Sequence, residues 1–281
     1  VAKVRGVALS FCDTSVIPVE YCFMAEDVQD GLVEAAQVAR ETTVRRALNG
    51  IEYGAFGDTN IADSDLDRMV QAVPVAICAA LARKAYYFVP LALSESRGSN
   101  VTMIAATYTP ELGDQAVCHR NVPLGGSDGV FISTRLLGDR FALAFEFFIN
   151  VGHAFVDAAG VPETFNELVW NQALADVRGE TSQDAWESRS LSLAATSKAE
   201  KISGKPVIDE KAKTSFLEAA FSDAVAIYLL SLAVDFDYSE LREREYPLLA
   251  PQPLADRLRL VAKLFPPNPG YDFSIRYRRR A

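Results

Sequence analysis

The most continuous apolar stretch of the chain covers residues 136–160, LLGDRFALAFEFFINVGHAFVDAAG. It contains no proline, and apolar residues occupy nearly every side of a helical projection, which predicts a helix buried around most of its circumference. At 100° per residue the polar exceptions lie within about 60° of one another. These exceptions are Asp139, Glu146, Asn150, His153 and Asp157. Such a stripe must face solvent, a cleft or another polar element.

The pattern before this helix predicts two further helices and several strands. Apolar residues at three- and four-residue spacing predict a helix over 27–48, followed by a glycine-rich loop over 53–60. A second helix begins with Asp63 or Ser64 as its cap and extends to about Lys84, with Pro74 kinking or dividing it. Short β-rich segments at 86–93, 101–109 and 129–133 predict three strands, and 1–25 predicts short strands or an extended arm.

After the long helix the pattern is mostly helical. Residues 162–179 predict a helix with Trp170 and Leu174 facing the core, and 180–206 a helix plus an exposed loop. Further helices are predicted over 215–231 and 254–264, the second bounded by prolines. Strands and helices together predict an α+β fold, mostly helical with a small mixed sheet and two core helices.

Composition and charge are those of an ordinary globular chain. Of 281 residues, 49% are hydrophobic and 23% charged, and the net charge of −9 argues against broad nucleic-acid binding. No run of about 18 uninterrupted apolar residues occurs, so no membrane span and no membrane partner are expected. The only basic segment is RYRRR at 276–280, for which a solvated end is the simplest interpretation.

The four cysteines do not form a metal-binding or redox motif. Cys12, Cys22, Cys78 and Cys118 include no C-x-x-C pair. Cys78 lies in an apolar helical pattern, which predicts a core thiol. Cys12 and Cys22 could form a disulfide in an oxidising compartment, and no signal-peptide pattern precedes them.

The segment INVGHAFVDAAG at 149–160 resembles the zinc helix of the gluzincin metallopeptidases, in which H-E-x-x-H precedes a short apolar stretch. His153 matches the second histidine of that motif, and Gly152 and Ala154 also fit. Ile149 stands at the position of the first histidine, and Asn150 at that of the catalytic glutamate. The motif therefore lacks both a ligand and the general base.

The order of elements resembles the anthrax toxin lethal factor-like branch of the zincins. In that family a helix, a strand, a second strand resembling "aaYyP" and a short third strand precede the zinc helix. A later helix with E-F-F-A-E-A-F supplies the third metal ligand, and SFLEAAFSDAVAIYLLS at 215–231 is similar to it. Matching Phe221 and Asp223 to that pattern places the ligand on Ala219, whereas a one-residue shift places it on Glu218.

A catalytic zinc site needs three protein ligands and a carboxylate base, and these are hard to assemble here. The chain has two histidines, His119 and His153, and an amide such as that of Asn150 cannot take a proton near neutral pH. Phosphate-binding, nucleotide-binding and serine-hydrolase motifs are also missing. The resemblance therefore implies a degenerate zincin-like domain over 61–235, with an N-terminal arm and helix over 1–60 and a C-terminal extension over 236–281.

Two function classes follow from these residues. The first is a catalytically inactive metallopeptidase-like protein that binds a protein partner, or a homo- or hetero-oligomeric assembly, without metal or other cofactor. Its candidate binding residues are Glu146, Asn150, His153, Asp157, Glu218 and Asp223, with Ile149, Asn150 and His153 as vestigial catalytic positions. The second class is a hydrolase, specifically a peptidase, with an atypical metal site.

Overall fold

The computed structural model describes residues 31–93, 101–203, 208–235, 237–238 and 246–275. Three sequence predictions fall outside these residues: the N-terminal arm over 1–25, the pairing of Cys12 with Cys22 and the basic segment over 276–280.

The larger of two β-sheets has five strands and mixed direction. Its order is β2-β3-β4-β9-β8, with β3, β4 and β9 parallel to one another and β2 and β8 antiparallel at the edges. The strands are β2 (Arg45–Arg46), β3 (Glu52–Ala55), β4 (Lys84–Val89), β8 (His119–Pro123) and β9 (Asp128–Ser133). Almost every residue of β4 and β9 is buried, because both faces of these central strands are covered, and this explains their continuous apolar sequence.

The smaller sheet is antiparallel and follows directly from the larger one. Its order is β1-β6-β5-β7, formed by β1 (Leu32–Glu34), β5 (Leu91–Leu93), β6 (Met103–Ala105) and β7 (Ala116–Val117). Pro90 separates β4 from β5, and one residue separates β7 from β8, so both chain segments pass from one sheet to the other.

Helices pack around these sheets and give the mixed helix-and-sheet composition that the sequence predicted. The shorter helices are α1 (Ala35–Glu41), α2 (Asp63–Gln71), α3 (Val75–Cys78), α4 (Pro110–Gly113) and α5 (Thr134–Leu137), with a 3₁₀ turn at Ala79–Leu81. The longer ones are α6 (Arg140–Ala159), α7 (Glu163–Leu174), α8 (Gln183–Ser203), α9 (Glu210–Ala233) and α10 (Pro251–Leu264). The α+β class is confirmed, and the division into three domains stays a prediction.

Helices α6 and α9 form the centre of the main core. Gly152 lies at their closest approach: a Cβ atom there would come within 2.6 Å of the backbone oxygen of Ser222. Both helices are long and apolar enough to cross a membrane, but 67% and 78% of their apolar windows are buried inside the protein. The sequence predicted two core helices, and in the structure α6 and α9 are buried and pack on each other.

Several element predictions are confirmed. Pro74 divides the helix after Asp63 into α2 and α3, because proline cannot continue the hydrogen-bond ladder. Cys78 is buried as a core thiol, and burial raises its pKa to about 12, so it stays protonated.

Other predictions are wrong in physically informative ways. The helix expected over 27–48 is limited, among its described residues, to α1, because β1 pairs with β6 and β2 with β3. The loop expected over 53–60 begins as strand β3, and Ala62 rather than Asp63 or Ser64 is the N-cap of α2. Leu174 is 58% exposed at the end of α7 and does not face the core. Leu136 belongs to α5, since Gly138 in a left-handed conformation separates it from α6.

Candidate functional site

The polar face of α6, which we define as Glu146, Asn150, His153 and Asp157, lies near one open edge of the larger sheet. Asp139 does not belong to it, because its side chain caps the helix by accepting a hydrogen bond from the amide of Ala142 at 2.7 Å. Asn150 is buried and donates to the backbone oxygen of Glu146 at 2.9 Å. Such a bond along the helix occupies the amide locally.

Strand β8 brings His119 to this face. Its Nδ1 atom lies 2.5 Å from Oε1 of Glu146, whose side chain is 13% exposed. The same carboxylate oxygen is 3.4 Å from Nδ2 of Asn150. Glu146 therefore joins the edge strand to the helix by a hydrogen bond between residues 27 positions apart.

The outer edge of β8 has main-chain groups that the sheet does not use. In the pairing with β9, His119 is opposite Ile132, and Ser133 N donates to Cys118 O at 2.9 Å. Since an antiparallel pair alternates between bonded and non-bonded positions, residues 118, 120 and 122 point their main-chain groups at β9. The N–H and C=O groups of His119 and Asn121 consequently point away from the sheet, and no strand of the described chain pairs with them.

His153 projects from the polar face as an exposed residue. No hydrogen bond joins it to any residue in the described part of the chain. Partial removal of its ring from water lowers the pKa of His153, and the negative charges of Asp157 and Asp184 oppose that change. The imidazole is thus a neutral, exposed acceptor and donor at neutral pH.

Asp223 is a buried acid whose carboxylate is engaged by hydroxyl groups. Its side chain is only 4% exposed and accepts a hydrogen bond from Thr181 Oγ1 at 2.8 Å, with Ser182 as a second donor. Glu218 is exposed on α9, and its carboxylate makes no hydrogen bond or ion pair with a described residue. Among the described residues, no hydrogen bond or ion pair joins Glu218 or Asp223 to the polar face of α6.

The vestigial metal positions are not arranged as a metal site. Ile149 is 5% exposed and belongs to the main hydrophobic core. Within the residues that the structure describes, no three His, Cys, Asp or Glu side chains lie together as metal ligands. An imidazole placed at Ile149 would meet packed apolar atoms rather than an open coordination position.

Large surface depressions lie at the opposite end of α6. One of about 430 Å³ is lined by Thr134, Arg135 and Asp139, and a neighbouring one of about 300 Å³ by Met69 and Val234. Neither is lined by His119 or His153. The polar face of α6 therefore borders an open strand edge rather than either depression.

Sequence reasoning missed the partners that the structure gives to the candidate residues. His119 lies in a short polar strand, HRNVP, which has no apolar alternation to signal it. Thr181, Ser182 and Asp184 lie in a polar stretch that gave only a weak helical pattern. Contacts of this kind join distant residues, and no local pattern reports them.

Comparison of the chain with models of known protein families, with curated protein sequences and with solved structures gave no significant match.

Proposed function

We propose that this protein is a zincin-like pseudo-metallopeptidase that serves as a binding or structural component of a larger assembly. In this proposal an extended segment of a protein partner lies along the open edge of β8, beside the polar face of α6. The observation that carries the proposal is the position of the unused main-chain groups of His119 and Asn121, which lie beside helix α6. In that helix, Ile149 and Asn150 stand where the zincin motif has its first histidine and its glutamate.

Support for the zincin-like relationship comes from the order and packing of the elements. Helices α2 and α3, strands β4, β6 and β9, and the buried helix α6 occur in the order that the resemblance implies, with β5, α4, β7, β8 and α5 inserted between them. Helix α9 contains the segment that is similar to the family's third-ligand helix, and it packs on α6 next to Gly152. These features concern architecture and are compatible with several activities.

The absence of catalysis is inferred from the chemistry of two side chains. The amide of Asn150 has no basic site near neutral pH and is already bonded to Glu146. Ile149 carries no metal-binding atom and is packed in the core. The first ligand position and the base position of the zincin motif are therefore both occupied by residues that cannot serve in hydrolysis.

Binding by strand addition suits the edge that remains. An extended segment gains main-chain hydrogen bonds from an open sheet edge, and contacts of its alternate side chains give specificity. Asn121 and Pro123 are exposed on this edge, and His119 continues it toward Glu146. We expect neither nucleic acid nor a membrane surface as partner, because the net charge is −9.

A hydrolase with an atypical metal site is the second candidate. The observation in its favour is that His119 and His153 are near enough for one imidazole to affect the pKa of the other. Two imidazoles are one ligand short of a catalytic zinc site.

Strand addition predicts that a single main-chain donor on β8 controls binding. Peptides of about 12 residues are first selected from a random library on the immobilised protein. They should bind the Asn121→Pro variant with a Kd about tenfold higher, because the variant loses one main-chain hydrogen bond and about 1.4 kcal/mol of binding free energy corresponds to a tenfold change in Kd. The folded state should tolerate the change, because this N–H points away from β9. Titration calorimetry with the selected peptides measures the difference.

Asn121→Ala is the matched control, since it removes the side chain and keeps the N–H group. It should bind the same peptides within about twofold of the unchanged protein. Equal affinity for the proline variant, or failure to select any peptide, would exclude the edge of β8 as the binding site.

A further inference from the structure

The carboxyl group of Asp223 joins α9 to the beginning of α8. It accepts hydrogen bonds from Thr181 and Ser182, the two residues that precede Gln183. Ser182 in turn caps α8, because its Oγ accepts the amide N–H of Ala185 at 3.2 Å. One buried side chain therefore fixes the residues from which α8 starts.

The other side of this segment is tied down independently. Glu180 is fully buried, and its carboxylate pairs with Arg257 at 2.8 Å and Arg189 at 3.1 Å. Backbone hydrogen bonds link Glu180 to Pro247 and Leu249. Because Glu180 is held in place, a movement of Thr181 and Ser182 would involve only the residues after Glu180, at the beginning of α8.

The charges around Asp223 disfavour a negative charge on it. Its charged neighbours Asp184 and Glu180 are both acidic. The guanidinium groups of Arg189 and Arg257 are bonded to Glu180, and burial lowers the pKa of His153 on α6, which leaves its imidazole uncharged at neutral pH. An ionised Asp223 would therefore have hydroxyl donors but no cation among its described contacts.

We propose that Asp223 is a proton-controlled latch that holds the start of α8 against α9 and releases it when the carboxyl group ionises. Ionisation transfers the proton to solvent and leaves a buried carboxylate beside two other acids. The carboxylate then gains hydration only if Thr181, Ser182 and the first turn of α8 move away from α9.

The direction of the pH dependence follows from this burial. Removal from water raises the pKa of Asp223 from 3.8 to about 7, so the closed arrangement takes up protons more readily than an open one. The stability that protonation gives the closed arrangement is complete below about pH 4 and is lost as the pH rises through about 7. Ionisation therefore weakens the latch progressively as the pH rises from about 4 to about 7.

This movement would change the flank of the proposed binding site. Asp184 lies in the first turn of α8 and acts on the charge of His153 on the polar face of α6. Opening of the latch would move Asp184 away from His153. This link to partner binding rests on the proposed function, whereas the latch itself does not.

Hydrogen exchange of the backbone amides from Ala185 to Arg189 tests the latch. After correction for the intrinsic pH dependence of exchange, protection in the unchanged protein should fall about tenfold between pH 6 and pH 8, as expected for one carboxyl group. In Asp223→Asn, which cannot ionise, protection should stay within about twofold over that range. Unchanged protection in the natural chain, or an equal fall in the variant, would overturn the latch.

A second variant keeps the test independent of how well Asp223→Asn folds. Thr181→Val removes a donor that favours the ionised form, so the midpoint of opening should move to higher pH. A midpoint that does not move would count against Asp223 as the titrating group. If exchange changes as expected while peptide affinity at the β8 edge is the same at pH 6 and pH 8, the link to partner binding is refuted and the binding site is unaffected.

Discussion

Replacing Glu180 by Gln should lower the free energy of unfolding by about 3 to 5 kcal/mol, because it leaves two buried guanidinium groups without their shared carboxylate. Arg257 is fully buried, and the side chain of Arg189 is 5% exposed. Arg257 would keep the hydrogen bond from its Nε to the amide oxygen of Gln172 at 2.8 Å, but that partner carries no charge. Urea denaturation followed by circular dichroism measures the change.

The matched control is an exposed ion pair on α10, the helix that also carries Arg257. Asp256 pairs with Arg259 at 3.2 Å with both side chains largely in solvent. Asp256→Asn should cost less than about 1 kcal/mol, since exposed pairs contribute little. A similar small loss for Glu180→Gln would contradict the view that this network fixes α10 and the start of α8 to the core.

Replacing Gly152 by Val should cost about 3 kcal/mol, at the upper end for overpacking a core. The new Cβ would lie 2.6 Å from the backbone oxygen of Ser222, and backbone cannot rotate away as a side chain can. The two core helices would have to separate, with loss of contacts along their whole interface. Thermal unfolding monitored by calorimetry gives the loss.

Gly126 offers a control for the change of residue type. Nothing lies within 4 Å of a Cβ at this position, and its φ is not in the left-handed region. Gly126→Val should therefore change stability by less than about 0.5 kcal/mol. If both variants lose the same small amount, α6 and α9 do not approach as closely as described.

Elements with a strong local pattern could be predicted from the sequence. Helices α6, α9 and α10 each carry many apolar residues at helical spacing, and the proline at position 74 divides α2 from α3 in the expected place. Strands β4 and β9 have continuous apolar sequences because both their faces are buried. In these segments local preference and tertiary packing agree.

Segments whose structure depends on distant partners could not be predicted in this way. Strand β1 replaces part of a predicted helix because Val33 pairs with Ile104, which lies more than seventy positions later. Strand β8 is polar and exposed, so only its pairing with β9 makes it a strand.

In the candidate site, too, some features follow from the local sequence and others depend on distant residues. The polar face of α6 follows from helical geometry, so the nearness of Glu146 and Asn150 was predictable. Its contact with His119 depends on the tertiary fold. The burial of Asp223 likewise follows from how α8 begins, which no local pattern indicated.

The metal content of the purified protein tests the absence of zinc chemistry most directly. After incubation with equimolar zinc and dialysis, elemental analysis should find less than about 0.1 zinc ion per chain, because no three metal-binding side chains converge among the described residues. The same preparation should cleave no peptide that binds to the β8 edge. About one zinc ion per chain that is lost in His153→Ala, together with peptide cleavage that the variant lacks, would contradict the account and establish a working metallopeptidase.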